Sequence, residues 1–260
     1  MGRKRIIWLT VAFFVALLVV AVCILWEPSG PPEPMYQGKQ LSYWLRMQYV
    51  PEISTDAIPV LVRSLRAKDS RFKLNFARVV EKVPWVHYRY WPATHQNGAA
   101  VLGFAALGSR AKGAVPELME IYDRQISEES QEATAMALAY IGHDAETAVP
   151  TLLHGTSNAP TRVRVASIYA LGAIRTSPNL AVPVLINSLG DANIYVRAAA
   201  ANALEKFDIF GEPVKRAVPA LVKALGDTNE TVNASAEKAL KTIDPAALKK
   251  AREEGKVRSR

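Results

Sequence analysis

From Ala57 onward, the apolar positions of the chain recur with the period of an α-helix. In "AVPVLINSLGD", Val182, Leu185, Ile186 and Leu189 fall at i, i+3, i+4 and i+7. A second stripe follows at once, with Val196, Ala199, Ala200, Ala203, Leu204 and Phe207 on one helical face. Two amphipathic helices in succession are therefore predicted, and the same pair recurs along the chain. A proline marks each recurrence: "AIP" at Pro59, then "AVP" at Pro116, Pro150, Pro183 and Pro219. The last four are 34, 33 and 36 residues apart. Proline is tolerated in a first helical turn, where its missing N–H costs least. Gly190 and Gly226, followed by Asp191 and Asp227, predict the turns between paired helices. The abundant alanines allow close helix approach. A unit of this size has too little apolar surface to fold alone, so the units must stack.

Ahead of the repeats the pattern changes. "MGRKR" precedes Ile6–Trp26, twenty-one residues without a charge. At about 1.5 Å per residue, this run matches a hydrocarbon core of roughly 30 Å. It is longer than the usual apolar core of a signal peptide, so an uncleaved anchor is expected, with a cleaved or lipidated signal as the alternative. Arg3, Lys4 and Arg5 place the N-terminus in the cytoplasm and export the remainder, to a periplasmic or extracellular location. Residues 27–38 are rich in proline and polar residues and read as a semi-rigid spacer.

Charge changes the picture little. The formal net charge is +8, but it is unevenly distributed. Lys39–Trp91 holds ten Lys/Arg against four Asp/Glu, whereas the chain beyond Trp91 holds nineteen against eighteen. A near-neutral repeat region behind an anchor argues against a nucleic-acid partner. The single cysteine, Cys23, excludes an intramolecular disulfide.

The repeating prolines, the "LGD…VR" run at Leu189–Arg197 and the "ALG" of Ala170–Gly172 resemble the HEAT-repeat family. The resemblance covers roughly residues 57–243, and with "YQGKQLSYWLRM" ahead of it the chain is similar to exported, membrane-anchored bacterial HEAT proteins. It implies an all-α fold: a right-handed α-solenoid of about five HEAT-like helical hairpins behind an N-terminal transmembrane helix. The domains are then an anchor at 1–26, a linker at 27–38 and a repeat domain at 39–260. Its repeats begin near Ala57, Ala114, Ala148, Ala181 and Ala217, with an insertion at about 69–97 and a C-terminal cap at 244–260. In the family, an Asp in the turn and an Arg six residues later link neighbouring units. Asp191 and Arg197 match that spacing, while Asn158 with Arg164 and Asp227 with Asn233 each match half of it. At the end, Asp244 is expected to cap a short helix that opens with Pro245.

Candidate chemistry concentrates in the insertion. Pro59 to Pro116 spans 57 residues, about 23 more than a regular unit, and the excess contains "VPWVHYRYWPATH". A helix over Arg71–Val83 with Phe72, Phe76, Val79 and Val80 on one face is predicted before it. Trp85, His87, Tyr88, Arg89, Tyr90 and Trp91 either cap the first repeats or project as a contact site, since Trp, Tyr and Arg dominate interface hot spots. A lipid-facing loop is the third reading. Arg164 and Arg197 are candidates for a concave binding surface, with bracing between repeats as the alternative. The four histidines match no zinc arrangement, and no nucleophile or phosphate-loop motif is present. "GFAALGSR" at Gly103–Arg110 is read as helix packing. The expected function is a non-catalytic scaffold for an unknown protein partner, with no cofactor, no metal, no nucleic acid and no small-molecule substrate. The alternatives are a HEAT-like lyase or chaperone role in cofactor attachment, or nucleic-acid binding.

Overall fold

The computed structural model describes residues 34–48, 52–80, 90–157 and 159–255, together with Trp8 and Phe14. Apart from Trp8 and Phe14, the predicted anchor at 6–26 lies outside the described residues, as does most of the linker. Among the described residues, no helix is long and apolar enough to cross a membrane. The chain divides into two compact units, 33–68 with 91–260 and 69–90 with the N-terminal 1–32.

The larger unit opens with a short antiparallel ribbon, β1 (Met35–Tyr36) and β2 (Lys39–Gln40), with Met35 opposite Gln40. It continues into α1 (Leu41–Arg46), whose Leu41 and Leu45 are fully buried. Helical hairpins then follow in series. The first pairs α2 (Ile58–Leu65) with α4 (Ala93–Leu107), and α1 packs on α4 at its outer edge. Next come α5 (Val115–Asp123) with α6 (Glu128–Ile141), and α7 (Val149–His154) with α8 (Thr161–Ile174). After α9 (Pro178–Ser188) with α10 (Ile194–Glu205), the single turn α11 (Glu212–Lys215) leads to α12 (Val218–Ala224) with α13 (Glu230–Ile243). The last element, α14 (Pro245–Glu253), closes the array, and the Asp244 carboxylate accepts from the Ala247 N–H at 2.9 Å as predicted.

The stripes read from the sequence form the core. Val182, Leu185, Leu189, Val196, Ala200, Ala203, Leu204 and Phe207 are all buried. The second helices α4, α6, α8, α10 and α13 pack side by side along the array, and each also packs on its own first helix. Small residues permit this layer. A Cβ on Gly172 of α8 would stand 3.0 Å from the Cα of Ala203 in α10, closer than ordinary van der Waals contact.

Four of the five motif prolines sit in the first turn of their helix, as expected. Pro183 does not. It lies inside α9, because that helix starts five residues earlier at Pro178. In the second and third repeats the corresponding segments, Gly108–Ala114 and Gly142–Ala148, are 3₁₀ turns that end before the helix. The missing N–H of Pro183 leaves the carbonyl of Asn179, one turn back, without its helical donor. Asn179 is exposed, so water can take its place.

The smaller unit contains α3 (Arg71–Val80), shorter than the helix predicted to Val83. Phe72 and Phe76 share a face as expected, stacked with ring centroids 6.5 Å apart. Phe72 is exposed and Ala77 is buried. The Val79 and Val80 side chains lie outside the described residues.

Candidate functional site

Two sets of polar and aromatic residues stand out on the larger unit, one between repeats and one on the outward face of the second helices. The first set is built at the fourth residue of these helices. Arg164 of α8 donates to Asp191 Oδ1 at 2.9 Å, in the turn of the following repeat, and to the Ala159 carbonyl at 3.1 Å. Arg197 of α10 grips Asp227 of the next repeat through Nε at 2.7 Å and Nη2 at 3.0 Å, and donates to the Asp191 carbonyl at 2.9 Å. Each aspartate also accepts from a turn N–H, Asp191 from Asn193 and Asp227 from Asn229, both at 2.8 Å. Each half match thus finds its missing partner in the full match, Arg164 in Asp191 and Asp227 in Arg197, across the repeat boundaries. The Arg197 hydrogen bonds hold the Asp227 carboxyl below its ordinary pKa, and Asp227 in turn raises that of the Arg197 guanidinium. Through these bonds Arg164 and Arg197 brace the array, although the buried Arg164 Nε finds no acceptor among the described residues.

Near the same place in the first two repeats, fifth in α4 and fourth in α6, the residues are neutral. Asn97 of α4 donates to the Ser64 carbonyl at 2.7 Å, and Gln131 of α6 to the Tyr122 carbonyl at 3.2 Å. Both ties stay within their own repeat. Besides the exposed pairs Arg66–Glu117 and Arg162–Glu132, each 2.8 Å apart, the links to the next repeat are buried hydroxyls. Ser130 Oγ donates to the Leu65 carbonyl at 2.5 Å, and the Tyr122 and Ser167 hydroxyls are 2.6 Å apart. Burial pushes the Tyr122 phenol above its ordinary pKa, so it stays neutral in this position.

The second set faces outward. Positions two, five, nine and thirteen, counted from the start of each second helix, recur on this face. They are Glu129, Glu132, Met136 and Tyr140 for α6, Arg162, Val165, Tyr169 and Ala173 for α8, and Tyr195, the buried Ala198, Asn202 and Lys206 for α10, with Lys206 just past the helix end. Tyr140 and Tyr169 are each 41% exposed and Tyr195 is 66% exposed. Polar contacts span each neighbouring pair of helices. Arg162 lies 2.8 Å from Glu132, the Lys206 ammonium lies 4.8 Å from the Tyr169 ring centroid, and Lys238 lies 3.0 Å from Glu205. Between these contacts the face is hollow. A cavity of about 350 Å³ lies against Met136, Val165 and Tyr169, and another of about 510 Å³ against Tyr169, Ala199, Asn202 and Lys206. The two share Val165, Tyr169 and Tyr195.

Of the residues singled out in the insertion, Trp85, His87, Tyr88 and Arg89 lie outside the described residues. In the smaller unit, the Tyr90 hydroxyl donates to the Asp69 carboxylate and the Lys73 ammonium lies 5.5 Å from its ring centroid. In the larger unit, Trp91 is half-buried against the core with the Arg46 guanidinium 5.1 Å from its ring centroid. "GFAALGSR" is helix packing, as read: Phe104 and Leu107 are buried in α4, and Arg110 closes that helix through the Ala106 carbonyl at 2.9 Å and reaches the Ile53 carbonyl at 3.1 Å. His95, His143 and His154 are exposed, and no group of three or more potential metal ligands occurs among the described residues. Sequence reasoning missed Met136, Val165, Tyr169 and Tyr195. The available signal was the presence of large apolar side chains off the core stripe, at positions that a solvated helix fills with charge.

Helical hairpins stacked through a shared layer of second helices define an α-solenoid. The family model described as HEAT repeats matches residues 115–205 and 182–253, together more than half of the chain. The chain belongs to the HEAT-repeat family. Among solved structures, a designed armadillo repeat protein in complex with the peptide (KR)4 is similar, with 17% identity and a TM-score of 0.50, covering 79% of this chain and 100% of that one. A computationally designed armadillo repeat protein for modular peptide recognition shares 17% identity with a TM-score of 0.47, covering 78% and 98%. No curated protein matches the chain.

Proposed function

We propose that this chain is a membrane-anchored, extracytoplasmic scaffold that binds another protein through the outward face of its second helices and performs no catalysis. One observation carries the binding surface: Tyr140, Tyr169 and Tyr195 stand exposed beside Met136 and Val165 across three consecutive repeats. Aromatic side chains over shallow apolar hollows supply large contact area at low entropic cost, the composition of interface hot spots. The designed armadillo neighbour solved with (KR)4 is an example of such an array holding a peptide, although fold analogy leaves the ligand to the chemistry of the face. The anchor rests on the uncharged run Ile6–Trp26 behind Arg3, Lys4 and Arg5. Trp85, His87, Tyr88, Arg89, Tyr90 and Trp91 remain part of the proposal as a second contact region, on the strength of their residue types.

A photo-crosslinking residue at position 169 of the full chain tests the surface, with position 223 of α12 as the control. Adducts with a discrete protein from 169 and none from 223 are expected. Equal labelling at both positions, or none at either, refutes a partner on this face. Alkaline phosphatase fused at the C-terminus tests placement: an active fusion supports export, and an inactive but stable one refutes it.

A further inference from the structure

We infer that the segment recognised by this face is a short acidic peptide, with an apolar side chain beside Tyr169 and carboxylates at Lys206. The inference rests on the scaffold reading and specifies its ligand. The face is electrically lopsided along its helices. At the N-terminal ends, Arg162 lies between two carboxylates, 2.8 Å from Glu132 and 3.9 Å from Glu129. Toward the C-terminal ends, Lys206 has two cations nearby, Arg175 and Lys238, against one carboxylate, Glu205, which Lys238 already engages. Among the described residues, neither Arg175 nor Lys206 has an ion pair. Half-burial, with Arg175 and Lys238 nearby, lowers the Lys206 pKa despite Glu205, so the ammonium sits in a field that an incoming anion would relieve.

Lys206 lines the larger cavity, and its ammonium lies against the Tyr169 ring that separates the two hollows. An anion reaching Lys206 therefore also reaches apolar surface at Val165, Tyr169 and Ala199. From Tyr195 to Lys206 the helix rises about 16 Å, which about five extended residues would span. A nucleic acid suits the face poorly, because its phosphates would continue past the basic end toward Glu129 and Glu132. Lipid headgroups would meet the same two carboxylates.

The test uses the full chain and fluorescein-labelled peptides in fluorescence polarisation: Leu-Phe-Ser-Glu-Glu, its reverse, and the counterparts with Lys in place of Glu. An oligothymidylate is included as a polyanion. One of the acidic peptides is expected to bind about ten-fold tighter than either basic peptide, and tighter than the oligonucleotide. Lys206→Glu should abolish that preference, Lys206→Met should halve it on a logarithmic scale, and Tyr169→Ala should weaken binding about thirty-fold. Lys223→Glu, the same charge change on α12, should leave it intact. Circular dichroism checks each variant for folding. Equal binding of acidic and basic peptides, preference for the oligonucleotide, a silent Lys206→Glu, self-association in place of peptide binding, or no peptide binding overturns the inference. The scaffold reading falls separately, on crosslinking from position 169.

Discussion

Exposed ion pairs such as Arg66–Glu117, Arg162–Glu132 and Lys238–Glu205 cross boundaries all along the array, but the more buried polar ties differ in kind between the first two boundaries and the last two. Near the N-terminus, Ser130 reaches the Leu65 carbonyl and Tyr122 meets Ser167, all neutral and buried. Near the C-terminus, Arg164 meets Asp191 and Arg197 meets Asp227, all charged and partly exposed. A hydroxyl is short, so its link forms only where backbone or ring comes close enough to exclude water. A guanidinium reaches farther and satisfies several acceptors at once, so it bridges turns that stay hydrated. The apolar core is continuous across both halves. Polar ties vary in kind, whereas the stripe that stacks the helices does not.

The comparison is broken most readily at the buried links. A Cβ at Gly155 would take the place of the Tyr122 hydroxyl, so Gly155→Ala must push the ring away and break its bond to Ser167. The expected loss is about 2–4 kcal/mol in urea unfolding, combining overpacking with a lost hydrogen bond. Tyr122→Phe in the same background should add almost nothing further, because the bond is already gone. An additive second loss would show that the hydroxyl was not the group displaced.

Arg197→Ala should cost about 2 kcal/mol, since it leaves Asp227 with only the Asn229 N–H and strips the Asp191 carbonyl of its guanidinium donor. Gln131→Ala, at the same place in α6, should cost about 1 kcal/mol. Hydrogen exchange followed by region should show faster exchange in α12 and α13 for the arginine variant and in α5 and α6 for the glutamine variant. Matching profiles would mean that the array unfolds as one block and that the two halves are not separable.

Acid sharpens the contrast further. Asp227 has a folded pKa below its ordinary value, so its contribution is complete above the ordinary carboxylate range and disappears as pH falls through the depressed value. Below about pH 4, exchange should rise first in the last two repeats while the Tyr122–Ser167 boundary holds. Asp227→Asn should flatten that dependence. The smallest effect is that of salt: about 0.5 M should weaken the Arg164–Asp191 and Arg197–Asp227 ties by less than 1 kcal/mol and leave the buried hydroxyl links themselves unchanged.

Much of this architecture was legible in single residues. The period of Val182, Leu185 and Leu189 places a core face because only one helical face can be buried, and Asp244 before Pro245 announces a helix start. The spacing of Asp191 and Arg197 identified the turn where repeats meet. Its partners were harder to read, since the bonds join Arg164 to Asp191 and Arg197 to Asp227 across 27 and 30 residues. Trp85, His87, Tyr88 and Arg89 show the reverse case: residue type drew attention to them, and type alone gives no surface.

The sequence by itself determined the helical repeat, its turns and its core stripe, because these follow from local periodicity and from the backbone limits of proline. It also supplied the apolar run on which the proposed anchor rests. Tertiary structure decided which polar groups meet and which apolar ones stay outside. Tyr122 finds Ser167 over 45 residues, and Tyr169 is left beside a hollow and under Lys206. Both depend on how far apart stacked helices stand and how each is rotated about its axis, quantities set by the packing of all the neighbours together.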